Sequence, residues 1–388
     1  MKKFLSVLLA ALLALCLVAC GGNKEEAADT SADTTAPTTD APTADEPTDE
    51  EKEPEEDNTP AVTVKINSKS ENVRIFGGKE IKSENYLNCT TPATGFEMKI
   101  KTSGGKLGVR INTSGNVYFR AWVDGVAQKA ADGSEYFSVL GSRILELDGI
   151  EKGEHTVRIL RVSGGVDTAQ IYAATFKGEQ LALDTADRYC IEFLGDEMTA
   201  GAALANGKDD VSLAYSYLTA DKLGADIAVT SYAKAGLGTA GAFESYEAGE
   251  SCANMVVINV GKYDHDASLG ADEFVAKYKE LIKNVKLANG PDCKIVCAVT
   301  HDSAEYGTAV KNMVDSLGGN SYGYYYFSAT AKTGDALTAA QHSAFATELS
   351  AFISQIKDQT VETPKLHTGT VGTGDTLGYG SEEWKPVA

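Results

Sequence analysis

An antiparallel β-sandwich followed by an α/β domain with a parallel sheet is the fold class this sequence predicts. Two observations carry the prediction. From residue 61 to 183 apolar and polar residues alternate in short runs separated by glycine turns. From residue 186 to 358 nearly continuous apolar runs alternate with stretches of helical period. Period-two alternation marks strands with one wet face, and apolar strands joined by helices mark a parallel sheet covered on both sides.

The chain opens with a processing signal. Lys2 and Lys3 precede an apolar run, Phe4 to Ala19, that is short for a membrane span. Leu17-Val18-Ala19-Cys20 followed by two glycines resembles the lipobox of bacterial lipoproteins. Residues 1–20 are therefore expected to be a lipoprotein signal peptide, with Cys20 as the lipidation site and membrane anchor. An ordinary secretory signal containing a cysteine is the alternative. Residues 21–60 hold five of the nine prolines and 14 acids against two lysines, within a net charge of −20. Such a stretch cannot bury a core, so it reads as a disordered acidic linker that carries a head away from a surface. The acidity argues against nucleic acid as a partner. The expected location is the extracytoplasmic face of a bacterial cell membrane.

The sandwich is read from Phe96–Lys101, Leu107–Ile111, Tyr118–Gly125 and His155–Val162, each alternating in character. In the second domain the expected strands are Cys190–Leu194, Ile227–Tyr232, Met255–Val260, Lys294–Val299 and Tyr324–Phe327. The expected helices are Ser212–Leu223, Asp272–Ala288, Thr308–Leu317 and Ala339–Ile356. Residues 359–388 form a Gly/Thr-rich tail. Five cysteines follow the anchor (Cys89, Cys190, Cys252, Cys293, Cys297), an odd number without metal spacing. Cys293 and Cys297 share one strand face about 13 Å apart, too far for a bridge. No disulfide, metal or cofactor is expected.

Ile191-Glu192-Phe193-Leu194-Gly195-Asp196-Glu197-Met198-Thr199 reads as a buried strand, a tight turn and a helix start. It resembles the first motif of the SGNH (GDSL) hydrolases, in which Gly-Asp-Ser presents a nucleophile. Val73–Gly78, Gly153–Val157, Ala174–Gly178 and Val256–Gly261 extend the likeness across residues 65–358. Together they resemble the family two carbohydrate esterases. That resemblance implies a jelly-roll packed on a flavodoxin-like three-layer SGNH domain. It also implies extracellular enzymes that remove acetyl groups from plant polysaccharides such as xylan.

The family positions map one by one. Glu197 stands at the nucleophile and has no hydroxyl to offer. Gly236 stands at the oxyanion glycine. Tyr263, in Gly261-Lys262-Tyr263-Asp264, replaces the oxyanion asparagine. Asp335 matches the orienting acid, while Leu337 or Thr338 occupies the histidine base position. His342 matches a family residue that is not the base. The tail phrase Gly378–Pro386 is similar to a family motif with Glu and Lys in place of Asp and His.

Glu197 at a helix N-terminus would be stabilised by the helix dipole. Lys262 is expected to pair with it. His265 and His301 follow strands at the active edge, and Trp122, Tyr118, Tyr263 and Tyr324–Tyr326 are candidate sugar-stacking rings. Asp264 could pair with Glu197 as two carboxylates cleaving a glycosidic bond. The readings that follow are a catalytically degenerate carbohydrate-binding pseudo-esterase, an active deacetylase using another hydroxyl such as Thr199 or Ser303, and a non-catalytic structural surface protein. The ligand implied is a plant or cell-surface polysaccharide.

Overall fold

The computed structural model describes residues 58–77, 83–184, 188–248, 253–301, 303–331 and 336–361, with short strands at 377–379 and 382–384. The signal segment with Cys20, the linker up to residue 57, Cys252, Asp335 and most of the tail lie outside the described residues.

Eight strands build the first layer system: β1 (Ala61–Lys65), β2 (Val73–Phe76), β3 (Leu87–Cys89), β4 (Gly95–Val123), β5 (Val126–Ala127), β6 (Phe137–Ile150), β7 (Gly153–Arg161) and β8 (Ala169–Leu181). All their pairings are antiparallel. Three of the expected strands prove to be one. β4 runs for 29 residues and bends where its ladders shift, at Thr102/Leu107 and Asn112/Asn116. Its glycines there bend the strand without ending it, because the alternation of buried and exposed residues resumes on the far side. Its first and last parts flank β7 on both edges, so the sheet rolls over its own core. That core includes Phe96, Met98, Ile111, Phe119, Ile159 and Ile171.

The second part is a five-stranded parallel sheet: β9 (Cys190–Gly195), β10 (Asp226–Ser231), β11 (Met255–Asn259), β12 (Lys294–His301) and β13 (Tyr322–Ala331), ordered β10-β9-β11-β12-β13. Five helices accompany it: α1 (Tyr215–Leu223), α2 (Lys262–Asp266), α3 (Ala271–Asn289), α4 (Ala304–Leu317) and α5 (Ala339–Ile356). α1 and α5 share one apolar cluster with Phe193 and Phe327, while α3 and α4 pack with Ile258 and Cys297 in another. Three layers result, with both sheet faces covered. A hairpin of β14 (Leu377–Tyr379) and β15 (Glu382–Trp384) lies in the tail. Strand order reverses at β9, and ligands of such sheets gather beyond the strand ends at that switch point.

Charged groups tie the two parts together. Arg158 of β7 grips Glu97 through two nitrogens, at 2.7 and 2.9 Å, and reaches the Tyr217 hydroxyl of α1 at 3.1 Å. Arg120 donates to Ser212 at 2.8 Å, and the Tyr136 hydroxyl donates to the buried Asp210 at 2.7 Å. Trp122 belongs to this junction, half-buried and stacked on Tyr217 at 6.3 Å.

Candidate active site

β9 delivers Asp196 and Glu197 to the carboxyl edge of the sheet. The helix expected to start here does not form. Residues 196–202 make successive turns, with Thr199 N–H bonding the Asp196 carbonyl and Ala200 N–H bonding that of Glu197. Asp196 folds inward and its carboxylate accepts the Met198 N–H at 2.9 Å. Without a helix there is no helix dipole at Glu197, and its charge is met by single groups.

Two donors meet it. The Lys234 N–H reaches Oε2 at 2.6 Å. The Tyr263 hydroxyl donates a short hydrogen bond to Oε1. Lys234 sits at φ +53, a left-handed conformation costly for a residue with a Cβ, in the loop after β10. Tyr263 rides on α2, directly after β11. Burial, and then the bond to Glu197, pushes its phenol pKa upward, so it stays a protonated donor.

The expected Lys262–Glu197 ion pair is absent. The Lys262 ammonium lies 4.7 Å from the centroid of the Tyr263 ring instead. A cation over an aromatic face keeps much of its hydration while gaining the ring's quadrupole, and that alternative wins here. Its charge still acts on buried Asp196, lowering a carboxyl pKa that burial and Glu197 have raised to about 7.

Asp264 is buried, 2 % exposed, and its Oδ1 accepts the Gly238 N–H at 2.7 Å. Its other oxygen has no hydrogen-bond partner. Burial raises its carboxyl pKa against the pull of the Gly238 and Leu237 N–H groups. No hydrogen bond joins it to Glu197. Gly236 makes this geometry possible, since a Cβ there would sit 2.5 Å from Asp264 Oδ1. Gly236→Ala is expected to displace Asp264 and the loop bearing Lys234. It should cost about 1–3 kcal/mol in chemical denaturation.

None of His265, His301 and His342 hydrogen-bonds Glu197. His265 and His301 both turn their rings to Tyr306, at 5.6 and 6.0 Å, and His301 Nδ1 accepts the Ser303 N–H at 3.3 Å. Leu337 is buried in the cluster of Phe327 and Phe345, and Thr338 caps α5 through a reciprocal pair with Gln341. Neither position offers a base. His342 is buried, its Nδ1 accepting the Tyr215 N–H at 3.0 Å.

The alternative nucleophiles are engaged elsewhere. The fully buried Thr199 hydroxyl shares a 2.9 Å hydrogen bond with the Tyr215 hydroxyl. Ser303 is buried and caps α4. Sequence reasoning missed Lys234, because a backbone donor leaves no mark on residue type. It also missed the chain Thr199–Tyr215–Asn259–Thr300 beneath the site, whose members read as ordinary core and strand residues. Among the described residues no cluster of three metal-ligating side chains occurs.

Comparison with known proteins adds the fold. No family profile matches the chain, and no curated relative does. Solved structures do match. A family two carbohydrate esterase from Clostridium thermocellum, in complex with cellohexaose, aligns at TM-score 0.62 and 21 % identity, covering 73 % of this chain and 98 % of that one. A family two esterase from Cellvibrio japonicus aligns at 0.62 and 18 %, covering 77 % and 99 %. An acetyl xylan esterase from the rumen bacterium Butyrivibrio proteoclasticus aligns at 0.61 and 15 %, covering 76 % and 98 %. This chain has the fold of the family two carbohydrate esterases.

Proposed function

We propose that the protein is a carbohydrate-binding pseudo-esterase, held at the extracytoplasmic face of a bacterial membrane by a lipid on Cys20. In this reading a jelly-roll sandwich and an SGNH-type domain present a site from which ester chemistry has been lost. One observation carries it. At the nucleophile position stands Glu197, whose carboxylate consumes the Tyr263 hydroxyl and the Lys234 N–H. A working site would aim such donors at the oxyanion of a reacting ester. Here the protein's own anion takes them, and neither His265 nor His301 hydrogen-bonds the pair. The neighbour in complex with cellohexaose supports a polysaccharide as the ligand.

The Tyr263–Glu197 bond has the form of a nucleophile and its base, which favours a second reading as a deacetylase with an unusual nucleophile. Two facts oppose it. The phenol pKa is raised, not lowered. A phenol is also a better leaving group than a sugar alcohol, so moving an acyl group onto it runs uphill.

Acetyl release from acetylated xylan and from a chromogenic acetate tests the proposal. The purified protein should show no turnover above the uncatalysed rate. Glu197→Ser with Tyr263→Asn should stay inactive too, because loss of the base position alone costs about 10⁶-fold in comparable triads. Adding Leu337→His would place an imidazole among Phe327 and Phe345 and destabilise the core. Turnover by the unmodified protein at about 1 s⁻¹ or faster would end the pseudo-esterase reading.

A further inference from the structure

We infer that the site around Glu197 selects glycans with a free hydroxyl where an esterase's substrate carries its acetyl group, so that it binds the deacetylated form of a polysaccharide and rejects the acetylated one. The inference rests on the carbohydrate-binding reading above and adds the chemical form of the ligand.

A carboxylate offers lone pairs and no proton. Glu197 uses one on the Tyr263 hydroxyl and one on the Lys234 N–H, which leaves further lone pairs on a side chain that is only half-buried. Tyr263 has a single proton, and it is spent on Glu197. Lys234 has a single backbone N–H, and it is spent likewise. The position therefore presents acceptors to whatever enters.

An attacking group in an esterase stands about 3–3.5 Å from the acyl carbonyl carbon. An acetyl ester placed there would bring its carbonyl oxygen, also an acceptor, against the carboxylate with no proton between them. A sugar hydroxyl in the same place brings its own proton and makes a charge-assisted hydrogen bond. Sites built around a hydrogen bond from a hydroxyl reject ligands that lack it, whereas shape alone discriminates weakly. Beneath the site, Asp264 is a buried carboxyl that accepts the Gly238 N–H, and buried Asp196 turns its carboxylate inward to the Met198 N–H. The Lys262 ammonium lies over the Tyr263 ring.

The test uses the full chain and matched polymers: xylan and glucomannan, each in its acetylated form and after alkaline deacetylation, in affinity gel electrophoresis, with calorimetry on the derived oligosaccharides. Affinity for the deacetylated forms should exceed that for the acetylated forms by about tenfold or more. Glu197→Gln keeps the shape and supplies an amide N–H, so the preference should fall to within about twofold while the melting temperature stays near that of the unmodified protein. Equal affinity for both forms, or preference for the acetylated one, overturns the selectivity and leaves the binding reading standing. An unchanged preference in Glu197→Gln also overturns it, because the discrimination then lies elsewhere. Failure to bind any of the four polymers overturns both.

Discussion

Arg161→Met is expected to lower the unfolding free energy by about 3–5 kcal/mol, read as a lower denaturant midpoint. Arg161 ends β7, is wholly buried, and has no carboxylate hydrogen-bonded to it. Its guanidinium instead serves backbone carbonyls: Cys89 at 2.6 Å, Ser163 at 3.0 Å, and Gly164 and Gly165 at 3.3 and 3.4 Å. Burial lowers its pKa. Methionine fills similar space and removes a charge whose burial is costly. It also strips several buried carbonyls of their partner, and that loss decides the sign. The loop at 163–165 leads from β7 toward β8; the Val162 N–H bonds the Tyr118 carbonyl of β4, and the Val162 carbonyl accepts the Val211 N–H across the junction. Arg161→Lys separates the two contributions. It keeps the charge but offers three donors from one point, so it should recover only part of the loss. Midpoints for both variants equal to that of the unmodified protein would remove Arg161 from the list of supports.

Much of the fold was legible because two-sided burial leaves a plain mark. Met255–Val260 and Lys294–Val299 are apolar except for Asn259 and Lys294, and β11 and β12 stand there with one or two residues' difference at their ends. Ala339–Ile356 reads as a helix from its period, and α5 spans those residues, with a cap formed by Thr338 and Gln341. Two features were not legible. β4 reads as three strands because alternation breaks at its corners, and a corner and a turn look alike until the pairing partners are known. The end of the Ile191–Gly201 segment reads as a helix start because a tight turn after a buried strand leads into one in the motif it resembles. Gly201 at φ +76 and the inward turn of Asp196 prevent it. In the site, Glu197, Gly236 and Tyr263 were readable as motif positions. Their wiring was not. The sign of its charge pointed Lys262 at Glu197, whereas the ring of Tyr263 is the surface it meets.

His342→Asn is expected to remove about 3 kcal/mol of acid sensitivity between pH 6.5 and pH 4. Burial lowers the pKa of His342 from 6.5 to about 4. The folded protein therefore keeps this imidazole neutral, with Nδ1 accepting the Tyr215 N–H and the ring stacked on Tyr215 at 5.7 Å. The unfolded chain takes up a proton below pH 6.5 and the folded chain does not until about pH 4. Stability from this group is thus complete above pH 6.5 and lost as pH falls to 4. An asparagine side chain in its place would keep an acceptor and cannot titrate, so its packing cost is the same at every pH. The gap between the two proteins should narrow or reverse as the solution is acidified. Asp196 runs the other way. Its pKa is raised from 3.8 to about 7, by burial first and Glu197 second. It favours the folded state below pH 3.8, and that contribution is lost as pH rises to about 7. The two slopes oppose each other across the same window, so the unmodified protein's own pH profile is flatter than either group alone would make it. The variants expose the components. Asp196→Asn should gain stability over the parent near pH 8 and lose that advantage near pH 4, while His342→Asn should fare worst at pH 7 and best at pH 4. Parallel denaturation curves at pH 4, 6 and 8 decide it, and a pH-independent gap for His342→Asn would mean that the imidazole titrates normally in the folded protein.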